Sequence, residues 1–209
     1  MAVGMVRTLR TGAVPSRQQC PADKSLLLKP FQQVHLLLFI LAFDEHEILF
    51  RSLGSGVGRK LPPRHGLGIA VHRSFLTYVA VVAHVAVGND GQVTIPRLDM
   101  TIDCGTVINP DRVRAQLEGA AMMSIGNALY GNITVKDGQI QQSNYTDYLV
   151  PRIDITPETH VYFVENTHLP GGVGEPGVPP TAPAICNAIY AATGKRIRAL
   201  PVDPQLLKA

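Results

Sequence analysis

Tryptophan is absent from these 209 residues, and only three cysteines occur: Cys20, Cys104 and Cys186. None stands in a CxxC pair, which argues against an iron–sulfur cluster or a structural zinc held by this chain alone. An odd number also argues against a disulfide framework; a reducing environment fits but does not follow. Charge is sparse. Charged residues make up 17% of the chain and the net charge is +3, too small and too dispersed to mark a nucleic-acid partner. No alternation of aromatic and basic residues suggests a groove for single strands. Long hydrophobic runs are lacking as well. The longest covers residues 34–43 and contains His35, whereas a bilayer-spanning helix needs about 20 apolar residues. It starts too far from Met1, and lacks a convincing small-residue cleavage site, to be an ordinary signal peptide. It reads as a buried helix or strand. These absences leave cytoplasm and periplasm equally open.

Hydrophobic residues supply 45% of the chain, enough for a sizeable core in one domain or two small ones. The 19 glycines and 16 prolines announce many turns. The character of the sequence changes near residue 57. Residues 1–56 mix basic residues, a Cys-Pro turn, the greasy run and the cluster Asp44-Glu45-His46-Glu47. Ligands adjacent in sequence point in different directions, so that cluster reads as an exposed turn before it reads as a metal site. Gly54-Ser55-Gly56-Val57-Gly58-Arg59-Lys60 has the wrong spacing for a phosphate loop, and Pro62-Pro63 blocks the helix that should follow.

From Gly66 onward the patterns sharpen. Residues 69–87 predict two strands rich in Val, Tyr and Phe, Asn89-Asp90-Gly91 a hairpin turn, and residues 93–102 the returning strand, with Val93, Ile95 and Leu98 inward. Pro96 marks a bulge or an edge. His72 and His84 read as structural or surface histidines before ligands. Asn109-Pro110-Asp111 predicts a helix start, with Asn as cap and Pro at the first helical position; the helix should end at about Leu129. Val113, Leu117, Ala121 and Ala128 form its apolar stripe. Gln116, Gly119, Met123 and Asn127 form a second, more polar stripe, which faces either a ligand or solvent. A hairpin is predicted over 133–141, a strand over 159–164, a small-residue helix over 182–192 stopped by Gly194, and a last short strand over 197–202.

Gly172-Val173-Gly174-Glu175-Pro176-Gly177 puts one carboxylate into a run that neither a helix nor a central strand tolerates. Such a stiff loop presents Glu175 toward something large and makes it a candidate general base. A surface turn that carries a glutamate is the competing reading.

Four motifs in one order are more specific than any of them alone: Asp103-Cys104-Gly105-Thr106-Val107-Ile108-Asn109-Pro110, then Gln116-Leu117-Glu118-Gly119, then the glycine-rich loop, then Ala184-Ile185-Cys186-Asn187-Ala188-Ile189. Together they resemble the molybdenum hydroxylases, the family of xanthine dehydrogenase and aldehyde oxidase. The likeness extends to the large, or beta, subunit of isoquinoline 1-oxidoreductase-type enzymes, through the segments 68–72 and 141–144 as well. The resemblance covers residues 57–209 and implies an α+β fold, the C-terminal part of a molybdenum cofactor-binding domain, with mixed and antiparallel strands and two main helices. It implies a molybdenum-pterin cofactor, in its cytosine dinucleotide form, with Gln116, Gly172 and Gly174 near the pterin and Glu175 as the base beside the metal. The implied reaction is oxidative hydroxylation of an N-heterocycle or an aldehyde with oxygen derived from water. The base must start ionised, hence in an enclosed but not dry site. No protein side chain is a metal ligand in this reading; the metal is held by the pterin dithiolene, so Cys104 is not counted.

The departures from the family pattern shape the expectation. A complete family subunit is several times longer, and its Gly-Gly-Gly-Phe-Gly-type cofactor loop and dinucleotide-holding segments have no counterpart here. Residues 1–56 do not look like the family sequence that should precede residue 57. A truncated, split or frameshifted subunit is expected, with half an active site and no activity alone. Its implied partners are the missing N-terminal part of the large subunit and a small subunit carrying [2Fe–2S] clusters. A non-catalytic remnant, or a small α+β binding protein without cofactor, is the alternative.

Overall fold

The computed structural model describes residues 60–209. The boundary expected near residue 57, the apolar run 34–43, the acidic cluster 44–47, Cys20 and the glycine-rich stretch before Lys60 lie outside the described residues.

Three strands follow one another as an antiparallel meander: β1 (His65–Ser74), β2 (Thr77–Val87) and β3 (Val93–Asp103). Gly91 has φ +86° at the β2–β3 turn, where a glycine costs nothing. The expected irregularity near Pro96 is present: Arg97 pairs with His84 but Thr94 pairs with Ala86, so one extra residue is accommodated on β3. Helix α1 (Pro110–Leu129) comes next, capped by the Asn109 side chain, which accepts from the Arg112 amide at 3.1 Å. Two-residue strands β4 (Val135–Lys136) and β5 (Gln139–Ile140) make the small hairpin around Asp137-Gly138. Strand β6 (Glu158–Phe163) then returns to the main sheet and lies parallel to β3, giving the order β1-β2-β3-β6. Helix α2 (Val178–Thr193) closes the layer and ends at Gly194 in the left-handed region.

The sheet buries one face under the two helices. Alternate residues Val79, Val81 and Ala83 of β2, and Leu98, Met100 and Ile102 of β3, meet Leu117 and Ile125 of α1 and Ile185 and Ile189 of α2 in one cluster. Each large aliphatic side chain fully buried there contributes roughly 1.5–3 kcal/mol. The apolar stripe expected on α1 is the buried one. Gly66 and Gly68 of β1 let α2 settle directly on the strand, since a Cβ on Gly68 would lie 2.2 Å from the Ala184 carbonyl oxygen.

Two expectations are corrected. Helix α2 begins at Val178 rather than near residue 182, because the first turn of a helix has no intrahelical use for the N–H groups that Pro179 and Pro180 lack. Residues 197–202 form no strand. Pro201 and Pro204 offer no N–H, the Val202 amide bonds instead to the Ala128 carbonyl at 2.8 Å, and the chain turns into a short 3-10 segment at Pro204–Leu207.

Candidate functional site

The segment leading into the glycine-rich loop is pinned by backbone on both sides. Asp103 accepts from the Gly105 amide at 3.1 Å and from the Asn166 side chain, and the Thr106 amide and hydroxyl both donate to the His168 carbonyl. The Gly171 amide donates to the Cys104 carbonyl at 2.8 Å, and the Gly172 amide to the Phe75 carbonyl at 2.9 Å. Small residues are required here because the loop runs against its neighbours. A Cβ on Gly171 would sit 2.5 Å from Thr77 Oγ1, and one on Gly172 2.8 Å from the Phe75 Cβ. The Phe75 carbonyl belongs to the β1–β2 turn, in which Phe75 and Leu76 both take positive φ, 52° and 63°.

Downstream, the Val178 amide donates to the Glu175 carbonyl at 2.9 Å, a turn that feeds α2. Gly177 presses onto α1, where a Cβ would meet Leu117 Cδ2 at 2.9 Å and Ala120 Cβ at 3.0 Å. The loop is therefore held between the β1–β2 turn and α1. At its middle, a Cβ on Gly174 would have as its neighbour, among the described residues, the Gln116 amide nitrogen at 3.5 Å.

Gln116 on α1 thus reaches the residue that precedes Glu175, and the helix amide and the acidic loop, 59 positions apart in number, share one corner. The second α1 stripe is exposed throughout, Gln116, Gly119, Met123 and Asn127 alike. Gly172, Gly174 and Glu175 are exposed too. The Glu175 carboxylate has no hydrogen-bond or ion-pair partner among the described residues. The enclosure that the base role calls for is not provided by these residues.

Sequence reasoning missed Thr77. Its hydroxyl is fully buried beneath Gly171 and has no hydrogen-bond partner among the described residues. Nothing local marks it, because its burial comes from a loop almost a hundred residues away. It missed the Phe75-Leu76 turn for a related reason: neither residue is a turn former, and the loop above them holds the geometry. Cys104 is buried and Cys186 half-buried, each with its thiol pKa raised, by burial first. Neither is paired, and no group of three metal-ligating side chains occurs among the described residues. His72 is half-buried, and His84 meets His65, its Nε2 being 3.1 Å from His65 Nδ1.

These residues fit a bulky organic group brought up to the chain. Gly119 leaves open space where a side chain would stand, the backbone at Gly174 is bare beside Gln116, and the Gln116 amide can both donate and accept. A bare cation does not fit, since the cluster offers one carboxylate.

Residues 62–157 match the family model of the molybdopterin cofactor-binding domain; the match includes Gln116 and stops short of the glycine-rich loop. The membrane-bound aldehyde dehydrogenase of Gluconacetobacter polyoxogenes, whose name specifies pyrroloquinoline quinone, is 38% identical over 149 residues, 69% of this chain and 19% of its own length. Subunit beta of isoquinoline 1-oxidoreductase from Brevundimonas diminuta is 35% identical over 141 residues, 67% of this chain and 18% of its own. The structure of aldehyde oxidoreductase from Desulfovibrio gigas superimposes with a TM-score of 0.57 at 28% identity, covering 63% of this chain and 15% of that one. The chain spans about a fifth of the length of the curated relatives it matches. No helix among the described residues is long and apolar enough to cross a membrane. The α+β layer of mixed strands under two helices thus has the fold seen in aldehyde oxidoreductase, and over residues 62–157 this chain matches the molybdopterin cofactor-binding domain.

Proposed function

We propose that this chain supplies one wall of a molybdenum-pterin site in an oxidoreductase that hydroxylates an N-heterocycle or an aldehyde with oxygen taken from water. The observation that carries the reading is the Gln116 amide beside Gly174, 3.5 Å from where a Cβ would stand and one residue before Glu175, on a chain that matches the molybdopterin cofactor-binding domain. Gln116 donates to and accepts from the edge of the pterin. The bare backbone at Gly172 and Gly174 lets the group come close. Glu175 takes the proton released as the water-derived oxygen becomes nucleophilic, and the turn into α2 holds its backbone still meanwhile. When bound, the cofactor supplies the two-electron chemistry that no side chain here provides. Its form is the cytosine dinucleotide.

Residues 57–209 act in this reading as the C-terminal portion of the cofactor-binding domain. The remaining walls, and the cover over Glu175, come from other segments of a large subunit, on this polypeptide or a companion. Electrons leave through a small subunit with [2Fe–2S] clusters, for which Cys104 and Cys186 offer no ligand set. The chain alone is a fragment without turnover.

Metal and cofactor analysis tests this. Purified by itself from a molybdenum-replete host, the chain should hold little molybdenum or pterin and oxidise neither aldehydes nor heterocycles. Co-expressed with the rest of a large subunit and an iron–sulfur subunit, it should retain both. Quinone in place of pterin in the loaded assembly would overturn the reading. The exposure of Glu175 favours one second reading, an α+β remnant that binds no cofactor; an assembled complex free of molybdenum and pterin would establish it.

A further inference from the structure

Residues 132–153 carry most of their large apolar side chains outward. Tyr145 is 74% exposed and Ile153 93%, and Val135, Ile140 and Leu149 are exposed as well. The segment is nevertheless built. Asp137 and Gly138 take positive φ at the β4–β5 turn, and the Thr134 amide donates to Gln142 Oε1 at 2.7 Å. The Asp147 carboxylate receives the Ser143 and Asn144 amides at 3.0 and 2.8 Å, which holds its pKa below the usual carboxylate range, and the Tyr148 amide bonds to the Asn144 carbonyl. Its far end is anchored on α1, where Pro151 occupies the space beside Gly126 that a side chain would need.

An ordered arm that points apolar groups at water is unusual in a finished surface, where contiguous apolar patches mark interaction sites. Strands of two residues do not stand alone in water either. Charge narrows the partner. Lys136 and Arg152 balance Asp137 and Asp147, so the arm has no net charge to offer an anionic membrane or a nucleic acid. Length narrows it further. The arm lies inside the segment matched by the cofactor-binding domain family, while relatives that carry that segment are about five times longer than what this chain spans of them.

We propose that the arm at 132–153 is a docking surface for the remainder of a molybdenum hydroxylase large subunit, through an uncharged apolar face. This rests on the placement of the chain within such a subunit, and not on the roles of Glu175 or Gln116.

The test uses the full chain and the triple variant Ile140→Asp, Leu149→Asp, Ile153→Asp. Both should melt at the same temperature, since these side chains touch little of their own domain; a large drop in the variant would show that they belong to its core and overturn the proposal. Each is then co-expressed with the Brevundimonas diminuta subunit beta from which the matched segment has been deleted. Wild type should co-purify with it and keep it soluble, and the variant should lose about tenfold or more of that recovery. Equal recovery with both, or rescue by neither, would overturn it. So would sedimentation of the full chain alone as a dimer that the variant abolishes, because the occupant would then be a second copy. A complex that depends on the arm but carries no molybdenum would sink the cofactor reading alone. A loaded complex indifferent to the triple variant would sink the arm alone.

Discussion

Gly177 lies flush against Leu117, so close that a methyl group on the glycine would come within 2.9 Å of the leucine Cδ2. The other obstacles to that methyl are also side-chain atoms, Ala120 Cβ and Met100 Cε, and Leu117 and Met100 can give way. Gly68 differs, because there the obstacles are the Ala184 carbonyl oxygen and the Ala188 nitrogen, both at 2.2 Å. Gly177→Ala should therefore cost about 1–3 kcal/mol and Gly68→Ala more than that, about 4 kcal/mol or failure to fold. Urea unfolding of the two variants checks the order.

Glu175 is exposed and has no partner among the described residues, so its loss should leave the fold alone. Glu175→Gln is expected to shift stability by less than about 0.5 kcal/mol. In an assembled enzyme the same change should lower turnover by about 10²–10⁴-fold with cofactor still bound. Gln116→Ala should do the opposite, weakening cofactor retention by about tenfold, the worth of one or two hydrogen bonds. Molybdenum content and kcat measured side by side separate the two roles.

His84 sits beside His65 and across from Arg97, and its pKa is lowered by partial burial, then by His65, then by Arg97. A base whose folded pKa is depressed resists protonation in the native state, while the unfolded chain takes the proton at the ordinary 6.5. The stability it contributes is complete above that value, falls as pH drops below it toward the lowered folded pKa, and levels off beneath. Melting temperatures from about pH 8 to about pH 5 should show this decline, and His84→Gln should flatten it.

Leu76 pays a conformational penalty that no contact in its own turn repays. It stands at φ 63° with its side chain 73% exposed. Left-handed backbone costs a branched residue roughly 1–2 kcal/mol, and a glycine there gives part of this back through a freer unfolded chain. Leu76→Gly should stabilise the domain by up to about 1 kcal/mol, measurable by thermal or urea unfolding. A loss of stability would mean that the exposed leucine is bound by something after all.

What could be read in advance was what neighbours in sequence decide. Asn109-Pro110 sets the start of α1 because capping and proline geometry act within four residues, and its apolar stripe follows from helical period alone. The hairpin turn at Gly91 was legible for the same reason. The nearness of Gln116 to Gly174 was not, since it depends on how a loop and a helix far apart in number are brought together. Nothing local marked Gly66 and Gly68 as the seat of α2, since the close approach there is made by a helix more than a hundred residues on. The parallel seat of β6 beside β3 also escaped, because alternation shows which residues face inward but not which edge a strand joins. Proline misled twice, excluding the first turn of α2 where it is tolerated and failing to exclude a strand after residue 197 where it is not.

Helix α2 rests main chain on main chain upon β1, with no side-chain cushion between them at Gly66 and Gly68. A lever seated so tightly has little travel. If Glu175 swings when a substrate arrives, the bend has to come from upstream, around Val173 and Gly174, while everything after Gly177 stays with the sheet as a fixed mooring.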